Sequence, residues 1–201
     1  SSPLFRSGLL LLVRALAAEP ALPLTLQGND RGVVLLTDPS DMPRTVRGVV
    51  DAEGRTVALD ALLLQRSARW LVGDAERVRH ATQHDALALA LAAGPVQVVR
   101  ADGQTITVTP IPHGAGGLGA LFWLACTLAL LLYLVTMVVV LAKPEVRNAL
   151  YAVMALAQVG NLLFLATESI PALGLPVGFM RWDHDLRAAF DLASGAALVH
   201  A

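Results

Sequence analysis

The chain has 201 residues, 55% of them hydrophobic and 15% charged, with a mean hydropathy of +0.60 and a formal net charge of −1. Soluble domains run about 45–50% apolar with about 25% charge, so a purely soluble enzyme is excluded, and disorder with it. A balanced charge without a basic block leaves no footprint for nucleic acid, and a lone cysteine, Cys126, leaves no disulfide framework or thiolate metal cluster.

The apolar surplus is local. Residues 28–113 carry nine Arg and ten Asp or Glu, whereas residues 114–142 carry no charged side chain. The sequence therefore predicts an extracytoplasmic α+β domain followed by an all-α transmembrane helical region.

Residues 1–23 contain an apolar core, Gly8–Val13, between Arg6 and Arg14. Three readings fit: an export signal with Ala15-Leu16-Ala17 as its cleavage site, a truncated span, or an amphipathic helix lying in the membrane interface.

Residues 24–113 alternate short strand patterns with helical ones. Gly32–Thr37 reads as a buried strand ended by the turn cluster Asp38-Pro39-Ser40-Asp41. Thr45–Val50 and Arg55–Leu59 flank a hairpin loop, Asp51–Gly54. Asp60 is placed to cap a helix over Ala61–Leu71, and Asp74 to cap a second from Ala75 to about Ala93, stopped by Gly94-Pro95. Val96–Arg100 and Gln104–Thr109 surround Asp102-Gly103, a strong hairpin signal. A Gly-rich stretch then leads into the membrane region as a hinge or tether.

Residues 114–201 hold spans at about 118–142, 148–167 and 186–201, the last incomplete. Residues 118–142 measure roughly 37 Å as a helix, enough to cross a hydrocarbon core of about 30 Å. The turn between the first two spans carries Lys143 and Arg147, which makes it cytoplasmic and places residues 24–113 and the Glu168–Asp185 loop outside. Reagents are then expected to reach Ser67 and Trp182 from outside and Val146 from inside. The third element runs to Ala201 with fewer residues than a span needs, which reads as one portion of a longer protein.

The polar residues of the membrane region are the candidate ligand or helix-coupling residues: Gln158, Asn161 and Glu168 on the second span, Trp182 in the outer loop, and His184, Arg187 and Asp191 leading into the third. Their spacing, with Ser194, makes one stripe; Arg187 and Asp191 fit an i, i+4 ion pair, and Ala189, Ala193 and Ala197 a small-residue packing seam. Polar groups at this depth are costly against lipid and belong against another helix or a cavity. His80 and His84 lie on one helix face at half a metal site's spacing; a solvated polar face is the reading taken, with no metal and no catalytic residue expected.

The order of parts, "GPVQVVRADGQTITVTPIP" feeding into "LFWLACTLALLLYLVTMVVVLAKPEVRNALYAVMALA" and then "DLRAAFDLASGAALVHA", resembles the PDZ-like, multi-pass sensor region of bacterial membrane histidine kinases. The resemblance implies a multi-pass inner-membrane protein, a homodimer, and a phosphoacceptor helix with an ATP- and Mg-binding kinase domain absent from these residues. No cofactor belongs to this portion. Its partners are the lipid bilayer and an extracytoplasmic peptide or protein ligand. A cyclic-dinucleotide synthase is a second output for such an input, and a non-enzymatic membrane scaffold or partner-binding protein is the alternative from another class.

Overall fold

The computed structural model of the chain describes residues 3–28, 34–37, 44–65, 67–170 and 177–200, and for residues 3–6, 25, 34–37, 44, 69 and 177–184 the backbone alone. In chain order the elements are α1 (Pro3–Ala18), β1 (Pro20–Ala21), β2 (Thr25–Gly28), β3 (Val34–Thr37), β4 (Arg44–Val50), β5 (Thr56–Ala58), a 3-10 turn (Ala68–Trp70), α2 (Asp74–Ala93), β6 (Val96–Arg100), β7 (Thr105–Val108), β8 (Ile111–Pro112), α3 (Gly114–Gly117), α4 (Ala120–Ala142), α5 (Val146–Glu168) and α6 (Val177–His200). They form two compact units: residues 15–114 with 172–180, and residues 1–14, 115–171 and 181–201.

The first unit is an α+β sheet structure. Its antiparallel strands run in the order β2-β3-β4-β6-β7, with β5 also paired to β4, while β1 and β8 form a separate two-stranded ribbon. The hairpins at Asp51–Gly54 and Asp102-Gly103 form where the turn residues placed them. Along β6 the two-residue period of a strand sends Val96 and Val98 inward and Gln97 outward. They meet Val46, Val49, Val57 and Leu63, and from α2 Leu87, Ala90 and Leu91, in a single core cluster. Each fully buried Val or Leu contributes about 1.5–3 kcal/mol relative to exposure. Strand β4 carries the densest pairing and a bulge between Val46 and Gly48; a side chain at Gly48 would put its Cβ 2.8 Å from the Val57 carbonyl oxygen. Only glycine lets β4 and β5 approach this closely.

Three expectations for this unit change. The helix over Ala61–Leu71 is instead a turn at 61–64 and the 3-10 turn at Ala68–Trp70. Asp60 still caps its start, accepting from Leu63 N at 3.1 Å. The carbonyls of Leu63 and Gln65, which a continuing helix would use four residues on, accept instead from two histidines of α2. The cap of α2 is Gly73, whose carbonyl accepts from Arg77 N; Asp74 is the first helical residue and pairs with Arg77. Strand β2, Thr-Leu-Gln-Gly, carries no alternation that the sequence reading recognised. Residues 29–33 and 38–43, including most of the predicted turn after β3, lie outside the described residues.

The second unit is helical. Helices α4 and α5 are each long and apolar enough to cross a membrane. They pack against one another through a stripe on α4, Phe122, Ala125, Ala129, Tyr133 and Thr136, whose steps of three, four and seven keep it on one face. Opposite it α5 presents Ala152, Ala155 and Val159, and these small residues allow close approach. The outer face of α4 leaves Leu121, Leu128, Leu131, Val138 and Leu141 exposed. The expected flexible hinge at Gly114–Gly117 is one helical turn, with the Ala115 carbonyl accepting from Trp123 Nε1 at 3.1 Å.

Helix α6 begins at Val177 and not near Asp185, so the segment expected as an outer loop through Asp185 is helical from 177 onward. No proline or cluster of turn residues interrupts the chain after Pro176, and nothing local stops a helix from starting there. The side chains of Trp182 and His184 lie outside the described residues.

Candidate functional site

The polar residues singled out on α5 and α6 come together as a row across the interface between the two helices. Gln158 Nε2 donates to Ser194 Oγ at 3.0 Å, and Asn161 Nδ2 donates to Asp191 Oδ1 at 3.0 Å. Three residues forward on α5 match three residues back on α6, the relation of antiparallel neighbours. One step further the row ends in an ion pair, Arg187 Nη2 to Glu168 Oε1 at 2.9 Å, reached by the length of the arginine stem.

The row is graded in exposure. Gln158 and Asp191 lie on its open edge, while the Arg187 and Glu168 side chains are only 9% and 14% exposed. A desolvated ion pair needs close geometry and further support to offset what burial costs it. Arg187 has that support in the Phe164 ring, whose centroid lies 5.3 Å from the guanidinium carbon; a cation over an aromatic face is attracted by the ring quadrupole. Phe164 in turn touches Phe190, with ring centroids 6.2 Å apart.

Phe190 fills a notch at Gly160. A Cβ added there would stand 2.2 Å from Phe190 Cε2, far inside van der Waals contact. The notch sets the register, and the polar pairs on either side follow from it. Within this row Asn161 Oδ1 is buried without a hydrogen-bond partner among the described residues, and the Arg187 Nη2–Glu168 Oε1 contact is a charge pairing without hydrogen-bond geometry.

Two sequence expectations for these residues are corrected. Arg187 pairs with Glu168 across the interface, and Asp191 is engaged by Asn161, so the predicted Arg187–Asp191 pair within α6 gives way to contacts between helices. A packing seam of Ala189, Ala193 and Ala197 does not form as such: Ala197 is buried but Ala189 is exposed. The face turned to α5 runs through Arg187, Phe190, Asp191 and Ser194. Gly160, one residue before Asn161, was the missed signal.

The second polar cluster belongs to the sheet unit. His80 and His84 do not form a solvated face: they are 0% and 4% exposed. His80 Nε2 donates to the Gln65 carbonyl at 2.8 Å and His84 Nε2 to the Leu63 carbonyl at 3.1 Å. Their rings lie 4.4 Å apart, tilted by 47°. Burial, and secondarily the neighbouring His80, pushes His84 down to about 4, against the opposing pull of the Leu63 carbonyl. One residue before His84, Gln83 Nε2 donates to Asp60 Oδ2 at 3.2 Å, so α2 holds the segment after β5 at three points. Among the described residues no group of three or more His, Cys, Asp or Glu is arranged to hold a metal ion.

Compared with known proteins, the chain matches no family model, and no curated sequence or solved structure resembles it significantly.

Proposed function

We propose that the chain is the sensing and anchoring portion of a bacterial inner-membrane signalling protein, a two-component sensor histidine kinase, in which a stimulus outside the cytoplasm acts through the packing of the spans. The observation that carries this reading is the polar row between α5 and α6. Between the apolar α5 and the more polar α6, three matched polar pairs and a glycine notch tie one helix to the other in a single register, and polar groups kept within a membrane are there for a purpose. The sheet unit supports it as well, because β8 is joined to α4 only through residues 113–119. In this reading α4, α5 and α6 cross the bilayer, the exposed leucines and valines of α4 face lipid, and Lys143 and Arg147 hold the α4–α5 turn on the cytoplasmic side.

The test of orientation is single-cysteine labelling in intact cells with an impermeant maleimide, in a Cys126→Ala background. Ser67 is 4% exposed and unsuited to a reporter, so the outer position is Thr107 on β7 and the inner one Val146, which is 79% exposed. Thr107→Cys is expected to label at once, and Val146→Cys only after permeabilisation; the reverse pattern refutes the orientation. The kinase output is tested on the full-length natural polypeptide with ATP and Mg. Transfer of the γ-phosphoryl group to a histidine supports it, and its absence refutes that output.

The alternative, a membrane scaffold that captures a partner protein, draws on the sheet order. Strands β2 and β7 end the sheet, and an edge strand can accept an added strand from a peptide. Binding of an extracytoplasmic peptide without any phosphoryl transfer would favour it.

A further inference from the structure

We infer that the His80–His84 pair is a proton-binding latch: neutral, it clasps the Asp60–Leu71 segment to α2, and on taking up a proton it lets that segment go. The inference rests on the proposed location of the sheet unit outside the cytoplasm, and it names the stimulus as acid.

The geometry sets the chemistry. A backbone carbonyl only accepts, so each imidazole must carry its proton on Nε2 to hold Gln65 and Leu63. An added proton therefore goes to Nδ1. His80 Nδ1 is buried without a hydrogen-bond partner among the described residues, so the new N–H finds no acceptor in place and the new charge finds no water. With the rings 4.4 Å apart, a charge on one also repels a charge on the other.

The charged groups around the pair are few. On α2 itself the nearest carboxylates in sequence are Glu76, exposed, and Asp85, half-buried. From the clasped segment comes Asp60, already held by Gln83 and the Leu63 amide. The elements packed on α2 add nothing titratable at β5 (Thr56–Ala58) or β1 (Pro20–Ala21); the clasped segment and its 3-10 turn add Arg66 and Arg69, like charges in sequence whose side chains are not described.

The direction of the pH effect follows from His84, held at about 4 against an ordinary 6.5. The closed form resists protonation and the open form does not, so closure is fully favoured above pH 6.5 and is lost progressively as pH falls toward 4. For His84 alone, the ratio of open to closed segment rises roughly 20- to 30-fold between about pH 7 and pH 5. Opening uncovers Leu63 and Leu71, both buried in the closed form, next to the already exposed Trp70 and Val72. That makes a new apolar surface which appears only in acid.

The test is amide hydrogen exchange on the full chain in detergent micelles, corrected for intrinsic rates, from about pH 7 to pH 5. Protection over 60–72 is expected to fall roughly 20- to 30-fold while β6 keeps its own. His80→Gln and His84→Gln retain an N–H donor and remove the titrating group; together they should flatten the pH profile while preserving protection at neutral pH. Should these variants misfold, histidine ring NMR on the wild type reads Nδ1 protonation directly, and it should coincide with loss of protection. Unchanged pH dependence in the double variant overturns the latch. So does a His80 that takes its proton while the segment stays protected, the outcome expected if Gln83 Oε1, buried and without a hydrogen-bond partner among the described residues, accepts the new N–H. Thr107→Cys labelling separates the two ideas: labelling from the cytoplasmic side with an intact latch refutes the location and not the latch.

Discussion

Replacing Gly160 by alanine tests the α5–α6 interface most sharply, because the expected effect changes sign with its partner. In the wild type the new Cβ would fall 2.2 Å from Phe190 Cε2 and 2.7 Å from two further ring carbons. The ring must retreat by more than an ångström from a place where Phe164 supports it. Overpacking of this kind costs about 1–3 kcal/mol. With Phe190→Ala the notch is empty, and the same glycine-to-alanine change then gains up to about 1 kcal/mol, since alanine is the better helix former. The double-mutant cycle therefore predicts a coupling of about 1–4 kcal/mol between positions 160 and 190. Hydrogen exchange of the α6 amides in micelles gives the four stabilities, using the full chain throughout. If Gly160→Ala stabilises α6 equally in both backgrounds, Phe190 does not sit over Gly160 and the register argued from it is wrong.

Three further outcomes are expected. Arg187→Leu leaves the Glu168 carboxylate without its partner and should lower the thermal stability of the helical unit by about 3 kcal/mol or more, followed by circular dichroism; Arg187→Leu with Glu168→Leu should recover most of it. Gly48→Ala drives a Cβ against the Val57 carbonyl, a backbone atom that cannot swing aside, and should cost about 1–3 kcal/mol with loss of exchange protection first in β4 and β5; unchanged protection there contradicts the close approach. Asp51 is pushed up by burial, but hydrogen bonds from the Arg55 and Glu53 amides and the Arg55 side chain prevail and hold it below its ordinary 3.8. Its stabilisation is therefore present above pH 3.8 and lost as pH falls through the lower folded value. Asp51→Asn should remove that part of the acid limb, and a limb of unchanged shape would show that Asp51 does not set it.

What could be read from the chain depended on whether the deciding contact was local. The hairpins at Asp51–Gly54 and Asp102-Gly103 were legible because turn residues act on their own backbone. Helices α4 and α5 were legible because a long apolar run has few other outcomes. The polar stripe of Arg187, Asp191 and Ser194 and its counterpart on α5 were legible as faces, since helical spacing is enough to align them. Their partners were not, because pairing across two helices depends on register, and register depends on Phe190 finding Gly160. The segment Ala61–Leu71 failed for a related reason. Its local propensity is helical, but His80 and His84, about 20 residues away, take the carbonyls a helix would use. Buried histidines and solvated ones look alike in sequence, and only the core around Leu63 and Leu87 distinguishes them.

The ladder on α6 also limits how that helix can move. A slide by one helical turn, about 5.4 Å, would carry Asp191 opposite Leu165 in one direction and Ala157 in the other, and would pull Phe190 out of its notch. In either direction at most one of these polar pairs can re-form, Asp191 with Gln158 or Ser194 with Asn161, while the contact at the notch is lost. Piston-like travel of α6 along α5 is therefore the expensive motion. A pivot about the Phe190 seat keeps the central contacts while swinging the two helix ends in opposite senses, like a seesaw on its fulcrum.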